Sequence, residues 1–94
     1  MKRMRLKHPP EGLNVSRGNF WISHEATDIM NRLNFKDSVK WFYVVLCKIS
    51  DKKASREWWF KTNNAELKVI ANMSRGTVYL ARRALVLAGL IEEG

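Results

Sequence analysis

Apolar residues recur at the spacing of a helix in four stretches of the chain. The first covers 24–33, where Ser23 stands at the N-cap position. The second opens at Asp37 or Ser38 and reaches about Ile49, with the broadest apolar stripe of the four. Because of that breadth, we expect this helix at the centre of the core, with three aromatic residues buried in it: Trp41, Phe42 and Tyr43.

Two further helices are predicted close together near the C-terminus. A short one follows the cap candidates at 62–64 and ends before 72–74. The last runs from about 75 to 88 and is predicted to stop at Gly89, because glycine is favoured where a helix ends in a left-handed conformation. The spacing therefore predicts two helices that are joined by a three-residue turn.

Shorter apolar and aromatic runs predict a small amount of β structure. Residues 20–22 (FWI) are predicted as an edge strand or an extended lead-in, and 57–62 (EWWFKT) as a strand. Residues 90–91 begin another strand, and the polar stretch 50–56 is predicted to be a loop. The chain therefore predicts a mainly α domain with a small β component over 19–94.

The first 18 residues show no period and differ in composition from the rest. Four of the first seven residues are cations, and prolines and glycines follow at positions 9, 10, 12 and 18. We expect 1–18 to form a basic flexible N-terminal tail. Its role stays open between a disordered leader and an arm that touches phosphate.

Composition fits one small domain with an anionic partner. The 94 residues include 17 Lys plus Arg against 9 Asp plus Glu, which gives a net charge of +8. This excess attracts polyanions, so nucleic acid is the favoured partner and an anionic membrane surface a distant second. The single cysteine, Cys47, excludes an internal disulfide, and the longest apolar run, 41–47, is far shorter than the roughly 20 residues of a membrane span. We therefore expect a cytoplasmic protein without a membrane segment.

The last helix is predicted to be amphipathic in a way that suits nucleic acid. On a helical wheel its leucines, valine and alanines at 78–88 share one half, apart from Val86, and the other half carries three arginines and a tyrosine. A major groove about 12 Å wide admits a helix whose N-terminal side chains reach base edges. We expect Arg75, Tyr79 and Arg83 to address bases, while Gly76 permits close approach. Phosphate contacts are predicted for Ser74, Thr77, Arg82, Lys52, Lys53, Arg56 and Lys61.

Residues 65–79 (AELKVIANMSRGTVY) resemble the E-L-A-x-x-x-x-x-S-x-x-T-V signature of winged helix-turn-helix DNA-binding domains. Leu85 with 88–91 (AGLI) resembles the L-x-x-x-G-L-I that ends the recognition helix. The order of elements predicted over 20–62 is similar to the start of phage and plasmid replication initiators of the replication protein O and DnaD-like type. The resemblance implies sequence-selective binding of double-stranded DNA through 75–88, in replication initiation. Transcriptional regulators share the signature, so that alternative stays open.

Two features depart from the family pattern. Leu80 stands where members often carry a polar residue, so Leu80 and Leu87 are candidates for contact with a second protomer or a replisome protein. The chain also ends where the wing hairpin should begin, because 90–94 supplies a first strand and no return strand follows. We expect a truncated wing, either in a domain cut from a longer protein or as a vestige. An open strand edge at 57–60 supports the alternative of a protein-interaction or oligomerisation module.

No motif of catalysis is present in the sequence. Glycine loops of the G-x-x-x-x-G-K-[ST] and G-x-G-x-x-G types are absent, and His8, His24 and Cys47 are widely separated. A metal site needs three or four clustered ligands, so we expect no enzymatic activity, no metal and no cofactor. The aromatic pair at 58–59, among the cations at 52–61, leaves a second interpretation in which single-stranded bases stack on the rings.

Overall fold

The computed structural model of the chain describes residues 2–7, 12–14, 21–53 and 59–94. Within these ranges the protein is mainly helical, with a three-stranded and a two-stranded antiparallel sheet. The predicted mainly α class with a small β component is therefore confirmed. In chain order, the elements are β1 (Lys2–Leu6), β2 (Gly12–Asn14), β3 (Trp21–Ser23), α1 (His24–Arg32), α2 (Asp37–Lys53), β4 (Trp59–Thr62), α3 (Asn64–Ala71), α4 (Arg75–Leu87) and β5 (Ile91–Glu93).

Local signals set the helix ends close to where the sequence predicts them. The Asn63 side chain accepts a hydrogen bond from the Glu66 backbone N–H at 2.8 Å and so caps the start of α3. Asn72 ends that helix in the left-handed conformation, with a φ of 54°. Gly89 follows α4 with a φ of 75°, which confirms the predicted stop at this glycine.

Helix α2 runs further than the apolar pattern predicts. Ser50 is fully buried within it, and the helix continues to Lys53. Lysine is a good helix former, so a run of charged residues does not by itself end a helix. The predicted loop over 50–56 is therefore wrong for 50–53, and 54–56 lie outside the described residues.

One aromatic residue of α2 lies outside the core. Phe42 and Tyr43 are fully buried as predicted, whereas Trp41 is 52% exposed. The Trp41 indole N–H donates a hydrogen bond to the Ala71 carbonyl at 3.1 Å, so the ring covers the end of α3. The prediction that Trp41 is a core residue is therefore wrong.

The N-terminal segment forms the central strand of the three-stranded sheet. Strand β1 pairs antiparallel with β4 on one side and with β5 on the other. Met4 and Leu6 are buried beneath the helices, at 1% and 2% exposure. Because side chains alternate along a strand, Arg3 and Arg5 lie on the opposite, outer face. Lys7, the residue after β1, is exposed, and its charge helps the hydrogen bond from Arg5 to lower the pKa of Glu92, the residue of β5 that pairs with Arg5.

The predicted flexible tail over 1–18 is therefore wrong for residues 2–6. Strand β2, further along the same stretch, pairs with β3. The positions 1, 8–11 and 15–18 lie outside the described residues. The prediction failed because β1 presents only two apolar side chains, too few to show a period against the cations between them.

Strand β1 also provides a partner for the stretch 90–94. Strand β5 lies within that stretch and pairs with β1, and the Gly94 N–H extends the pairing by donating to the Arg3 carbonyl at 3.0 Å. Strand β4 pairs with the other side of β1. The prediction concerned a return strand after 90–94, and the structure instead pairs this stretch with a strand from the opposite end of the chain.

The core lies between the inner face of the three-stranded sheet and the helices. The sheet contributes Met4, Leu6, Phe60 and Ile91. Burial in this core raises the pKa of the Cys47 thiol to about 12, and it raises the pKa of the neighbouring Tyr43 hydroxyl above its usual range. Both groups are therefore neutral at physiological pH and add no charge to the core.

Candidate nucleic-acid interface

Helices α3 and α4 are joined by a short turn that fixes the start of α4. The Asn72 backbone N–H donates to the Lys68 and Val69 carbonyls and so closes the end of α3. Ser74 then caps α4, because its side chain accepts a hydrogen bond from the Thr77 backbone N–H at 3.3 Å. The side-chain hydroxyls of Ser74 and Thr77 also form a hydrogen bond, with their oxygens 2.9 Å apart. The predicted turn and its predicted cap residue are confirmed.

One side of α4 carries an exposed basic surface, which we name the α4 face and define by Arg75, Tyr79 and Arg83. These residues are four positions apart, so they follow one stripe along the helix. All three are exposed, Tyr79 to 56%, and the Arg83 guanidinium donates to the Tyr79 hydroxyl at 3.4 Å. Gly76 lies exposed beside them. Helix α4 contains no acidic residue, so no carboxylate of the helix itself neutralises the two guanidiniums.

Arg82 does not belong to the α4 face. It is 8% exposed, and its guanidinium donates to the Asn64 side chain and forms an ion pair with the Glu93 carboxylate. The buried Val78 and Leu85 flank it on the helix, so the stem of Arg82 runs along the packed side. The predicted phosphate contact by Arg82 is therefore wrong, because this side chain ties α4 to α3 and β5.

The packed side of α4 is narrower than the helical wheel predicts. Leu80 and Leu87 are 65% and 76% exposed, although the wheel places them on the apolar half. The fully buried apolar stripe consists of Val78, Ala81 and Leu85. The two leucines are therefore available to another protein surface, and their contact with a second protomer or a replisome protein stays a prediction.

Of the four cations that were predicted to hold phosphates between α2 and α3, only Lys61 has a side chain within the described part of the chain. The side chains of Lys52 and Lys53 and the whole of Arg56 lie outside the described part of the chain. Lys61 is exposed on β4, and its neighbours Phe60 and Thr62 point into the core. Because side chains alternate along a strand, Lys61 lies on the outer face of the sheet, away from α4.

A second basic surface, which we name the outer sheet face, consists of Arg3, Arg5, Lys7, Trp59, Lys61 and Glu92. The guanidinium carbons of Arg3 and Arg5 lie 4.7 and 4.9 Å from the centroid of the Trp59 ring. Arg5 also forms an ion pair with Glu92 at 2.5 Å, and the hydrogen bond from Arg5 holds the pKa of that carboxyl below its usual value. This surface went unpredicted because its arginines were assigned to a tail, and the stretch R-M-R-L-K of 3–7 holds too few apolar residues to predict a strand.

An open groove of about 400 Å³ separates the α4 face from β5. The ion pair of Arg82 with Glu93 forms part of its wall. Its other lining residues are Asn64, Tyr79, Arg83, Val86 and Leu87. Tyr79 and Arg83 belong both to this groove and to the α4 face. A large ligand that binds the α4 face can therefore also contact the groove.

Comparisons with known proteins find no relative of this chain. No family model, no curated protein and no solved structure matches it. Among the helices that the structure describes, none has the length and apolar character needed to cross a membrane. Within the same described ranges, no three His, Cys, Asp or Glu side chains are grouped as metal ligands would be. Function is therefore inferred from the two basic surfaces.

Proposed function

We propose that this protein binds double-stranded DNA sequence-selectively, as a winged helix-turn-helix domain whose α4 enters the major groove. The observation that carries the proposal is the α4 face, where Arg75, Tyr79 and Arg83 stand exposed along one stripe of a helix without acids. The turn between α3 and α4 and the resemblance of 65–79 to the helix-turn-helix signature support it. The net charge of +8 favours an anionic partner.

The α4 face matches the chemistry of base edges. From Arg75 to Arg83 the helix rises about 12 Å, which is roughly the length of three to four stacked base pairs. An arginine at each end can donate two hydrogen bonds to guanine O6 and N7. The Tyr79 hydroxyl between them can donate or accept. Selectivity is therefore expected over a short stretch of the duplex, with guanine favoured at both ends.

The start of α4 suits a backbone phosphate beside those bases. The first N–H groups of a helix have no partner within it, and the helix dipole favours an anion there. The hydroxyls of Ser74 and Thr77 lie at this end, and Gly76 offers no side chain that would hold the DNA away. Arg82 and Lys61 have no part in this contact, because one is buried and the other lies on the outer sheet face.

We place this binding in the replication initiation of a phage or plasmid, in the cytoplasm. The support is the resemblance of 20–62 to the start of replication initiators of the replication protein O and DnaD-like type. A transcriptional regulator of the same fold is the alternative, because both classes share the signature at 65–79. Selection of bound sites from the source genome distinguishes them, since a replication initiator selects repeats at an origin and a regulator selects promoters.

The test is fluorescence-anisotropy binding to a library of mixed duplexes, at low and at physiological salt. The wild-type protein should bind with a log–log salt slope of about −5 to −7, as for roughly six to eight neutralised phosphates. The variant R75A/R83A should lose its preference among sequences. A matched control, K36A/K48A, removes two exposed cations of the α1–α2 turn and of α2, and it should keep that preference. Equal preference in the wild type and R75A/R83A would contradict the proposal.

A protein-interaction module is the second candidate, and one observation favours it. Leu80 and Leu87 are 65% and 76% exposed on α4, a large apolar exposure for two residues that lie about two helical turns apart. A homodimer or a replisome partner would cover them. Gel filtration without DNA tests this candidate, because a dimer that depends on these leucines should become monomeric in L80Q/L87Q.

A further inference from the structure

The outer sheet face has an excess of positive charge and shares no residue with the α4 face. Its described side chains include four cations, Arg3, Arg5, Lys7 and Lys61, and one carboxylate, Glu92. The inward side of the same strands carries the apolar core residues. The outer sheet face therefore points away from the helices, and a ligand on it does not compete for the α4 face.

The two arginines of this face are held in place before any ligand arrives. In the strand register Arg5 stands directly opposite Trp59, and Arg3 pairs with Lys61 one step along the sheet. Both guanidiniums lie within 5 Å of the Trp59 ring centroid, at 4.7 and 4.9 Å. The indole reaches across β1 as far as Gly94, where an added Cβ would stand 3.1 Å from the ring. Stacking of this kind reduces the rotamer freedom that an arginine loses on binding phosphate.

The same stacking determines which form of nucleic acid fits. Proteins that hold single strands offer exposed aromatic faces on which bases stack. Trp59 is half-buried, and the two guanidiniums already occupy its ring, so the face offers charge without an open aromatic platform. A duplex turns its phosphates outward and its bases inward. Its backbone therefore fits a flat face of fixed cations better than a single strand does.

We propose that the outer sheet face is a second DNA-binding surface, which holds the phosphate backbone of a duplex without sequence preference. Because α4 lies on the other side of the sheet, a protein with both surfaces joins two duplex segments. The outer sheet face acts independently of the sequence-selective contact that we assign to α4, so either assignment stands if the other fails.

The test uses charge reversal at the two lysines of the face, K7E/K61E, which leaves the stacked arginines and the core in place. This double substitution is introduced into the wild type and into R75A/R83A. The control, K36E/K48E, changes the net charge by the same amount at two exposed lysines outside the outer sheet face. In the R75A/R83A background we expect duplex binding that ignores sequence and depends steeply on salt. Adding K7E/K61E should reduce the steepness of the log–log salt dependence of this duplex binding by about 2, because two phosphate contacts are lost and each contributes about 0.9. The control should change that slope by far less.

A bridging assay tests the two surfaces together, and this part of the test rests on the DNA contact that we assign to α4. The wild-type protein should retain a fluorescent duplex on beads that carry another duplex, and K7E/K61E should lose most of this retention while K36E/K48E keeps it. The proposal is overturned if K7E/K61E and K36E/K48E weaken binding equally. It is also overturned if R75A/R83A prefers a single strand of the same length, or if anionic lipid vesicles displace the duplex from it. The loss of sequence preference in R75A/R83A tests only the contact that we assign to α4 and does not bear on the outer sheet face.

Discussion

The guanidinium of Arg82 forms an ion pair with the carboxylate of Glu93, and this contact joins helix α4 to strand β5. The same guanidinium donates to the Asn64 side chain at the start of α3. Arg83, the next residue, is exposed and belongs to the α4 face. Two adjacent arginines of one helix therefore serve different ends, because Arg82 supports the fold and Arg83 faces solvent.

Arg82→Ala should lower the free energy of unfolding by about 2–3 kcal/mol, because two hydrogen bonds of a charged group are lost from a nearly buried site. Arg83→Ala should change it by less than about 0.5 kcal/mol, as expected for an exposed residue. Urea denaturation of both variants measures the difference. Equal stability of the two variants would show that the Glu93 contact contributes nothing, and R83A serves as the matched control for the loss of one arginine.

The helices could be predicted from the sequence because each carries its own signals. The cap at Ser74 and the left-handed stop at Gly89 are local, and they need no partner to be recognised. Strand β1 is different, since its neighbours β4 and β5 lie more than fifty positions further along the chain. Its two buried side chains, Met4 and Leu6, indicate a strand only once the pairing with β4 and β5 is known.

In the candidate site too, the residues whose position depends on one element could be predicted, and those whose position depends on contacts between elements could not. Arg75, Tyr79 and Arg83 could be found from the wheel because their exposure depends on one helix alone. Arg82 could not, since it lies at the border of the packed stripe and its direction is set by Glu93 and Asn64 on other elements. The outer sheet face depends on the pairing of β1 with β4, and it was therefore out of reach of local patterns.

Met4→Ala should lower the free energy of unfolding by about 2–4 kcal/mol, because a large side chain is removed from a packed interior. Met4 is 1% exposed on the central strand of the sheet. Lys7→Ala, at an exposed position just after the same strand, is the control and should have little effect on stability. Thermal unfolding followed by circular dichroism compares them. An unchanged transition for M4A would mean that 2–6 do form a tail.

Stability should decline in alkaline solution through the buried pair of Tyr43 and Cys47. The pKa of Cys47 is raised from 9.0 to about 12 in the folded protein, mainly by burial. The unfolded chain therefore releases this proton above about pH 9 while the folded protein keeps it, so the stabilising contribution is complete below pH 9 and is lost as the pH rises toward the folded pKa. The slope for one group is about 1.4 kcal/mol per pH unit.

The variant C47A removes this linkage and serves as the comparison. Its unfolding free energy should fall less steeply above pH 9 than that of the wild type, so the two curves should converge. Urea denaturation at a series of alkaline pH values measures both slopes. Parallel curves would exclude the thiol as the cause of the decline. Burial also raises the pKa of Tyr43, so a decline that remains in C47A and disappears in C47A/Y43F would be assigned to Tyr43.

Gly76→Ala should make the protein more stable and a weaker DNA binder at the same time. Gly76 lies in the first turn of α4, and an added Cβ meets nothing within 4 Å. Alanine therefore fits without strain and should raise the free energy of unfolding by about 0.5–1 kcal/mol, because glycine costs more entropy in a helix. In the DNA complex that we propose, the same methyl group would stand where the start of α4 approaches the backbone, so the affinity should fall. Urea denaturation and fluorescence anisotropy on one preparation measure both effects.

Gly89→Ala is the matched control, because it adds the same methyl group at the other end of α4. Its φ of 75° strains any side chain, so this variant should be destabilised by roughly 1 kcal/mol. Its DNA affinity should be unchanged under conditions where the variant is folded, since Gly89 lies beyond the end of the α4 face. Opposite signs of the two stability changes, with an affinity loss in G76A alone, would support an approach of the helix start to DNA. An affinity for G76A equal to that of the wild type would move the contact away from the first turn of α4.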